Sequence, residues 1–469
     1  MIYKHILTIA MLALGAGCTT FSPDRGMNKV NELTRSRIQQ EARWQRSEQD
    51  IQTARAATRE LLGQPLTADV AVKLALLNNR ALQATYADLG IAEADVVQAG
   101  RLRNPGFSFT RLRRADELEI ERTFLFDVLG LLTLPLRSTL EQRRFALTQG
   151  RVAGEVLQTA TNTRRAWYAA VAAQESAVYM EQVKQAAEAS AELARRMAAA
   201  GNFSTLDRAR EQAFYAAAAV QVARARHNAL GERERLTRLM GLWGEDTQFQ
   251  LPKRLPPLPK HARDMRNLEA EAIKTRLDVQ GAMQEAEHIA ASLGLTRTTG
   301  FINVFEVGYQ RNSASGQPRQ TGYEIELRLP LFDWGGAKIA RAEYTYMQAV
   351  NRAADIAVRA RSEVREAYSA YRTAFDLAQH YRDEIVPLRK RISEEVLLRY
   401  NGMLMSVFEL LADAQQQVIA VAASIDAQRD FWIAETNLDL ALNGKSPGSL
   451  AAARGNATPA ADATAGAGH

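Results

Sequence analysis

No proline interrupts the chain between Pro135 and Pro252. Inside that stretch, residues 138–200 carry a helical pattern broken only by Gly150 and Gly154. At about 1.5 Å of rise per residue this is on the order of 95 Å of helix. A periodic helix much longer than about 25 residues belongs to a coiled coil, a membrane span or a repeat. Charged residues make up 24% of the chain and are scattered through these stretches, so they are too polar to cross a bilayer as helices. Their apolar positions are often Ala, as at 169–173 and 216–220. Small side chains let helices approach closely, which favours coiled-coil packing. Residues 337–400 show the same pattern with a single proline, Pro387. The net charge of +6 is dispersed among mixed-sign segments. That is a solvated helical surface and lacks the clustered basic face that nucleic-acid binding requires.

The chain reads as two halves with one plan. Leu134-Pro135-Leu136 recurs as Leu329-Pro330-Leu331, and Gly201 recurs as Gly402. Ser204, Asp207 and Glu211 recur as Ser406, Glu409 and Asp413. Each half is expected to hold a helix (about 67–98 and 268–293), a β-hairpin and two long helices. The first half spans 66–244 with its hairpin at about 105–136, and the second spans 265–445 with its hairpin at about 301–331. Between them, 245–264 contains Pro252, Pro256, Pro257 and Pro259 and reads as an extended linker.

The hairpins alternate. Tyr323, Ile325, Leu327 and Leu329 interleave with Glu324, Glu326 and Arg328, while Asn303, Phe305, Val307 and Tyr309 share one face of the preceding strand. Asn312 to Gln320 reads as their connecting loop. In the first half Phe107 and Phe109 open one strand, and Leu118, Ile120, Phe124, Phe126 and Val128 alternate along the other. Strands of about 9 to 11 residues suit a tilted membrane crossing. Period-two alternation also suits a half-buried soluble sheet. Four strands cannot close a barrel, and an open edge cannot face lipid. If these strands are transmembrane, several chains must pool them.

Residues 1–17 read as an export signal, with Lys4 and His5 before a short apolar run. Cys18 is the one cysteine of the chain, so no intramolecular disulfide is possible. Its position after Gly15, Ala16 and Gly17 resembles the lipidated cysteine of bacterial lipoproteins, with Leu14 one place earlier than usual. Thr19 after it resembles the pattern sent on to the outer membrane. The alternative is ordinary cleavage that leaves a free thiol. Residues 18–65 read as an anchor arm with a helix at about 31–62, and 446–469 as a disordered tail.

This plan resembles the TolC-like outer-membrane efflux channels, especially lipoprotein members paired with resistance-nodulation-division pumps. The likeness rests on Leu329-Pro330-Leu331-Phe332-Asp333-Trp334-Gly335-Gly336, Ala340-Arg341-Ala342-Glu343, Arg399-Tyr400-Asn401-Gly402, Ser406, Glu409-Leu410-Leu411 and the helix ending at Asn443-Gly444. It covers residues 60–445. It implies a mainly α fold with a small membrane β part. Three chains would join as a homotrimer into a 12-stranded β-barrel above a long coiled-coil helical tunnel. It also implies an outer-membrane location, a tunnel into the periplasm, and partnership with a periplasmic adaptor protein and an inner-membrane pump. The first half lacks the Phe-Asp-Trp-Gly-Gly block, the Gly402 loop reads as one residue longer than its partner, and Ala412 stands where relatives often carry an acid.

The expected activity is that of a passive exit duct for solutes or metal ions, neither enzyme nor cofactor protein. No G-x-S-x-G, H-E-x-x-H or P-loop motif occurs, and the histidines show no metal-ligand spacing. The other reading is a periplasm-spanning coiled-coil lipoprotein without a pore. Gly201 and Gly402 are placed to end a helix. Ser204 with Asp207, and Ser406 with Glu409, fit the S-x-x-D/E start of the next one. Asp207 with Glu211, and Glu409 with Asp413, sit at i and i+4, where like charges oppose each other. Repeated around a trimer axis, such acids would favour cations and raise some carboxylate pKa values. They can equally be caps and solvated acids. By resemblance, Tyr400 is a tip tyrosine that helps close the pore. Pro135 with Ser138, and Pro330 with Asp333, Gly335 and Gly336, are expected to mark the change from barrel to helix. Met403 and Met405 read as docking contacts, with soft-ion binding the other option.

Overall fold

The computed structural model describes residues 20–299, 304–327 and 331–446. Cys18 and Pro330 therefore lie outside the described residues, as do the export signal and nearly all of the tail.

The arm forms two helices where one was expected. α1 (Met27–Ile38) stops at Gln39, whose φ is +54°. An extended stretch follows, and α2 (Glu48–Leu62) restarts from Ser47 through a capping box with Asp50. The first helix of the main body is likewise cut in two, into α3 (Ala68–Asn78) and α4 (Arg80–Ala99). Asn79 makes the cut: its backbone leaves the helical region, its side chain accepts from Leu82 N–H, and its amide donates to the Leu239 carbonyl. Strands β1 (Gly106–Arg114) and β2 (Glu117–Asp127) then lead into α5 (Val128–Ala199) and α6 (Thr205–Met240). The second half repeats the order. α7 (Leu268–Thr275) breaks at Arg276 before α8 (Leu277–Thr299), and β3 (Phe305–Ala314) pairs with β4 (Gln320–Leu327). α9 (Gly336–His380) passes through one π turn (Tyr381–Ile385) into α10 (Val386–Asn401), and α11 (Val407–Asn443) returns. That π turn lies just ahead of Pro387. A proline lacks the N–H and its ring crowds the carbonyl four residues back, so widening the preceding turn keeps the rod continuous.

α5 has 72 residues, which is about 108 Å. It begins seven residues before Pro135, so Pro135 and Ser138 do not mark the change from sheet to helix; Asp127 does. Its carboxylate accepts from Gly130 N–H and caps the helix. Pro135 rides inside α5 because its fixed φ is helical, although it removes the hydrogen bond to the Leu131 carbonyl and its ring crowds that carbonyl. Val128, expected on the strand, is the first helical residue. In the second half β3 runs to Ala314, so the connecting loop is only 315–319.

All four strands form one antiparallel sheet in the order β1-β2-β3-β4. The helices pack in long antiparallel neighbours, α5 along α6 and α9 along α8 and α11. One core gathers Tyr86, Leu89, Val152 and Val156, with Val30 of the arm packed in. A second gathers Trp167, Leu236 and Met240 around Leu251 and Leu255 of the linker. A third holds Tyr371, Phe375, Phe431 and Leu438. Tyr168 and Trp432 stack at 5.4 Å and tie the second core to the second half. Among the described residues no helix is long and apolar enough to cross a membrane.

Candidate functional site

Two helix-loop-helix tips close the far ends of the rods. Residues 200–204 link α5 to α6, and 402–406 link α10 to α11, so the two loops are equal in length. Their hydrogen bonds superpose at an offset of 202. Asn202 N–H donates to the Met197 carbonyl at 2.9 Å, as Leu404 N–H does to Arg399 at 2.9 Å. Gly201 N–H donates to Ala198 at 3.1 Å, as Met403 N–H does to Tyr400 at 3.0 Å. The partner of Gly201 is therefore Met403 and not Gly402. Gly201 takes φ +78° and Met403 takes φ +55°, while Gly402 is at an ordinary −82°. The extra residue expected in the second loop came from matching the two glycines.

A side chain in the left-handed region costs roughly 1–2 kcal/mol. Met403→Gly is therefore expected to stabilise the protein by roughly 0.5–1 kcal/mol after the entropy lost with glycine. A rise in denaturant midpoint at constant slope would register it. Met403 is 94% exposed and Leu404 80%, so the second tip presents two bare apolar side chains.

The paired acids do not share one environment. Ser204 accepts from Asp207 N–H, and its hydroxyl reaches the Asp207 carboxylate at 2.6 Å. Ser406 and Glu409 complete a reciprocal capping box, with Glu409 accepting from Ser406 N–H at 2.9 Å. That backbone N–H, then the hydroxyl, hold the Glu409 carboxyl below the usual carboxylate range. The direction is opposite to the rise expected from clustering. The stabilisation is present above the ordinary carboxylate pKa and fades as pH falls through the lowered value. The second acid of each pair turns into the seam between helices. Glu211 is 2% exposed and accepts from Ser190 Oγ at 2.8 Å. Asp413 is 9% exposed, and its Oδ2 is buried with no hydrogen-bond partner. The position equivalent to Ser190 holds Ile392, which has no hydroxyl to offer. Tyr400 is half-buried.

At the opposite end the sheet sorts its side chains by chemistry. Register aligns Phe107 with Phe124, Phe124 with Tyr309, and Tyr309 with Tyr323. A second row aligns Phe126, Val307 and Ile325. The Phe107 and Phe124 rings lie 4.9 Å apart, so this face is continuous. Alternation sends Glu117, Glu119, Glu121 and Asp127 of β2, Glu306 of β3, and Glu324 and Glu326 of β4 to the other face. Asp127, Glu306 and Glu326 align in one row. The sequence reading marked Glu324 and Glu326 but missed the rest of this acidic face. Glu117-x-Glu119-x-Glu121 carries the same period-two signal.

The second sheet-to-helix passage is built differently from the first. Asp333 Oδ1 accepts from Gly335 N–H at 2.8 Å, and Gly335 turns at φ +78° before α9 starts at Gly336. Leu331, Phe332 and Trp334 around it are 70%, 98% and 70% exposed. Among the described residues no group of three or more His, Cys, Asp and Glu side chains could hold a metal.

One small sheet carried on two pairs of long helices, with the same element order twice, is the fold of the TolC-like outer-membrane channels. Among solved structures, the chain is similar to the CmeC outer membrane channel of Campylobacter jejuni, with a TM-score of 0.71 and 16% identity over 81% of this chain and 87% of that one. A membrane protein from Pseudomonas aeruginosa matches with a TM-score of 0.70 and 19% identity, over 83% and 94% of the two chains. The open state of the MtrE outer membrane channel of Neisseria gonorrhoeae matches with a TM-score of 0.66 and 16% identity, over 80% and 88%. No family model and no curated protein matches the sequence.

Proposed function

We propose that three copies of this chain assemble into an outer-membrane exit channel, a passive conduit from the periplasm to the exterior. The observation that carries this reading is the four-stranded sheet with two open edges, β1 and β4, and one apolar face. An open edge has unpaired N–H and C=O groups that lipid cannot satisfy. Pairing β1 of one chain with β4 of the next removes every edge, turns the aromatic rows toward lipid and lines the lumen with carboxylates. The likeness to the CmeC and MtrE outer membrane channels supports the same arrangement. A pore-free spacer has no use for an apolar sheet face at the end of its rods.

In this reading the rods form the periplasmic tunnel, and the two tips are its inner end. The bare Met403 and Leu404 suit contact with a periplasmic adaptor or an inner-membrane pump. Glu409 and Asp413, with Asp207 and Glu211, are the acids of the inner gate, and Tyr400 lies beside them. An acidic lumen favours cationic cargo, metal ions included. Cys18 would carry the lipid. In support, the arm starts against α4, where Ser22 N–H donates to Glu93 at 2.6 Å and Arg25 pairs with it at 3.2 Å. Glu93 sits near the end of α4 that leads to β1, which keeps the anchor close to the bilayer.

Purified protein in mild detergent is expected to run as a trimer that heating converts to monomer, and to give discrete conductance steps in a planar bilayer. A heat-insensitive monomer with no conductance would return the chain to the spacer reading.

A further inference from the structure

Four arginines stand on the apolar face of the sheet. Arg122 of β2 is the direct ladder partner of Arg311 of β3. On its other side Arg122 pairs with Phe109, and its guanidinium lies 5.8 Å from the Phe109 ring, which fixes it on the aromatic side. Arg111 and Arg113 follow Phe109 at two-residue steps and so share that face. Like charges directly opposite each other on neighbouring strands oppose pairing, so the sheet gains nothing from Arg122 beside Arg311 for its own sake. Nor can the acids of the sheet relieve them, because alternation has sent those to the other face. Among the described residues none of Arg111, Arg122 and Arg311 makes an ion pair.

Their height is as specific as their face. β2 passes straight into α5 at Asp127, Gly106, Phe305 and Leu327 are the strand ends on the same side of the sheet, and the two aromatic rows lie near that end. The arginines occupy the next levels, toward the β1–β2 turn at Ala115. On a lipid-facing strand an arginine is costly at the bilayer midplane and nearly free at an interface. A barrel with these aromatic rows in the hydrocarbon sets the arginines at its outer boundary.

We infer that this band binds the phosphate groups of phosphorylated glycolipid in the outer leaflet. Ladder partners place the Arg122 and Arg311 backbones about 5 Å apart. Two planar guanidinium forks on long, flexible stems rooted that close together can both reach one phosphate. The inference rests on the barrel reading given above, and goes beyond it by naming the lipid chemistry that the barrel's outer surface selects.

The test uses the full-length protein in phosphatidylcholine nanodiscs containing either bisphosphorylated lipid A or its phosphate-free form. Lipid retained per trimer is counted by native mass spectrometry, and insertion is followed separately through the heat-modifiable trimer. The wild type is expected to retain the phosphorylated form about tenfold better, and Arg122→Gln/Arg311→Gln to bring the ratio close to one. Arg111→Gln/Arg113→Gln, at the edge of the band, is expected to lose part of the preference. Equal retention by the wild type overturns the inference, as does full preference in an inserted Arg122→Gln/Arg311→Gln variant. Failure of the wild type to insert overturns the barrel reading and this inference together; insertion without preference overturns this inference alone.

Discussion

Exchanging Glu119, Glu121, Glu306 and Glu324 for Gln is expected to cut the cation-over-anion permeability ratio of the proposed channel by about tenfold. These carboxylates alternate with the aromatic side chains, so a barrel that shows its aromatics to lipid must turn them inward. Low-dielectric walls lined by one sign of charge focus its field, and surface potentials of several kT raise local counter-ion concentration by about 10-fold or more. Gln keeps the size and shape and one acceptor oxygen while removing the charge. The measurement is the reversal potential under a salt gradient, repeated at low and high ionic strength because screening should shrink the difference. An unchanged reversal potential with normal conductance would mean that these side chains do not border the ion path. Asp127 is left out of the set because it caps α5 and pairs with Arg103 at 3.2 Å.

The largest stability effect is expected at Arg276, the break between α7 and α8. Its side chain is 1% exposed and holds Asp278 at 2.6 Å and Glu363 of α9 at 2.8 Å. Arg276→Met would leave both carboxylates against an apolar seam without their cation. Breaking a buried pair typically costs about 3–5 kcal/mol. Because Asp278 and Glu363 keep 23% and 21% exposure, water can partly rescue them, which brings the expectation to about 2–4 kcal/mol. The triple variant Arg276→Met, Asp278→Asn, Glu363→Gln should regain most of that loss, since no charge is then stranded. Denaturant midpoints of the detergent-solubilised protein decide the matter. If the single variant unfolds at the wild-type midpoint, the cluster contributes only geometry.

Much of the architecture was legible from local signals. The absence of proline between Pro135 and Pro252 announces the first long rods, and period-two alternation announces the strands. Ser204 and Ser406 announce two helix starts through short-range hydrogen bonds that need no tertiary context. Errors arose where a local signal has two physical outcomes. Pro135 reads as a boundary, yet a helix capped at Asp127 passes through it, with one hydrogen bond lost and one carbonyl crowded. Gly402 reads as the left-handed residue, but the hydrogen-bond register of the tip puts Met403 there. Asp413 and Glu211 look alike in sequence. Only the facing helix distinguishes them, with Ser190 opposite one and no hydroxyl for the other.

By itself the sequence determined the main elements, their order and the sorting of β2 and β4 into an apolar and an acidic face. Those follow from helical and strand periodicity, from caps and from turns, all of which act over a few residues. Tertiary structure alone decided that the four strands align as one sheet with two open edges, that Arg122 meets Arg311, and that Arg276 is buried against Glu363. Ladder register and helix packing bring together residues far apart in the chain, and no local preference encodes which of them will meet.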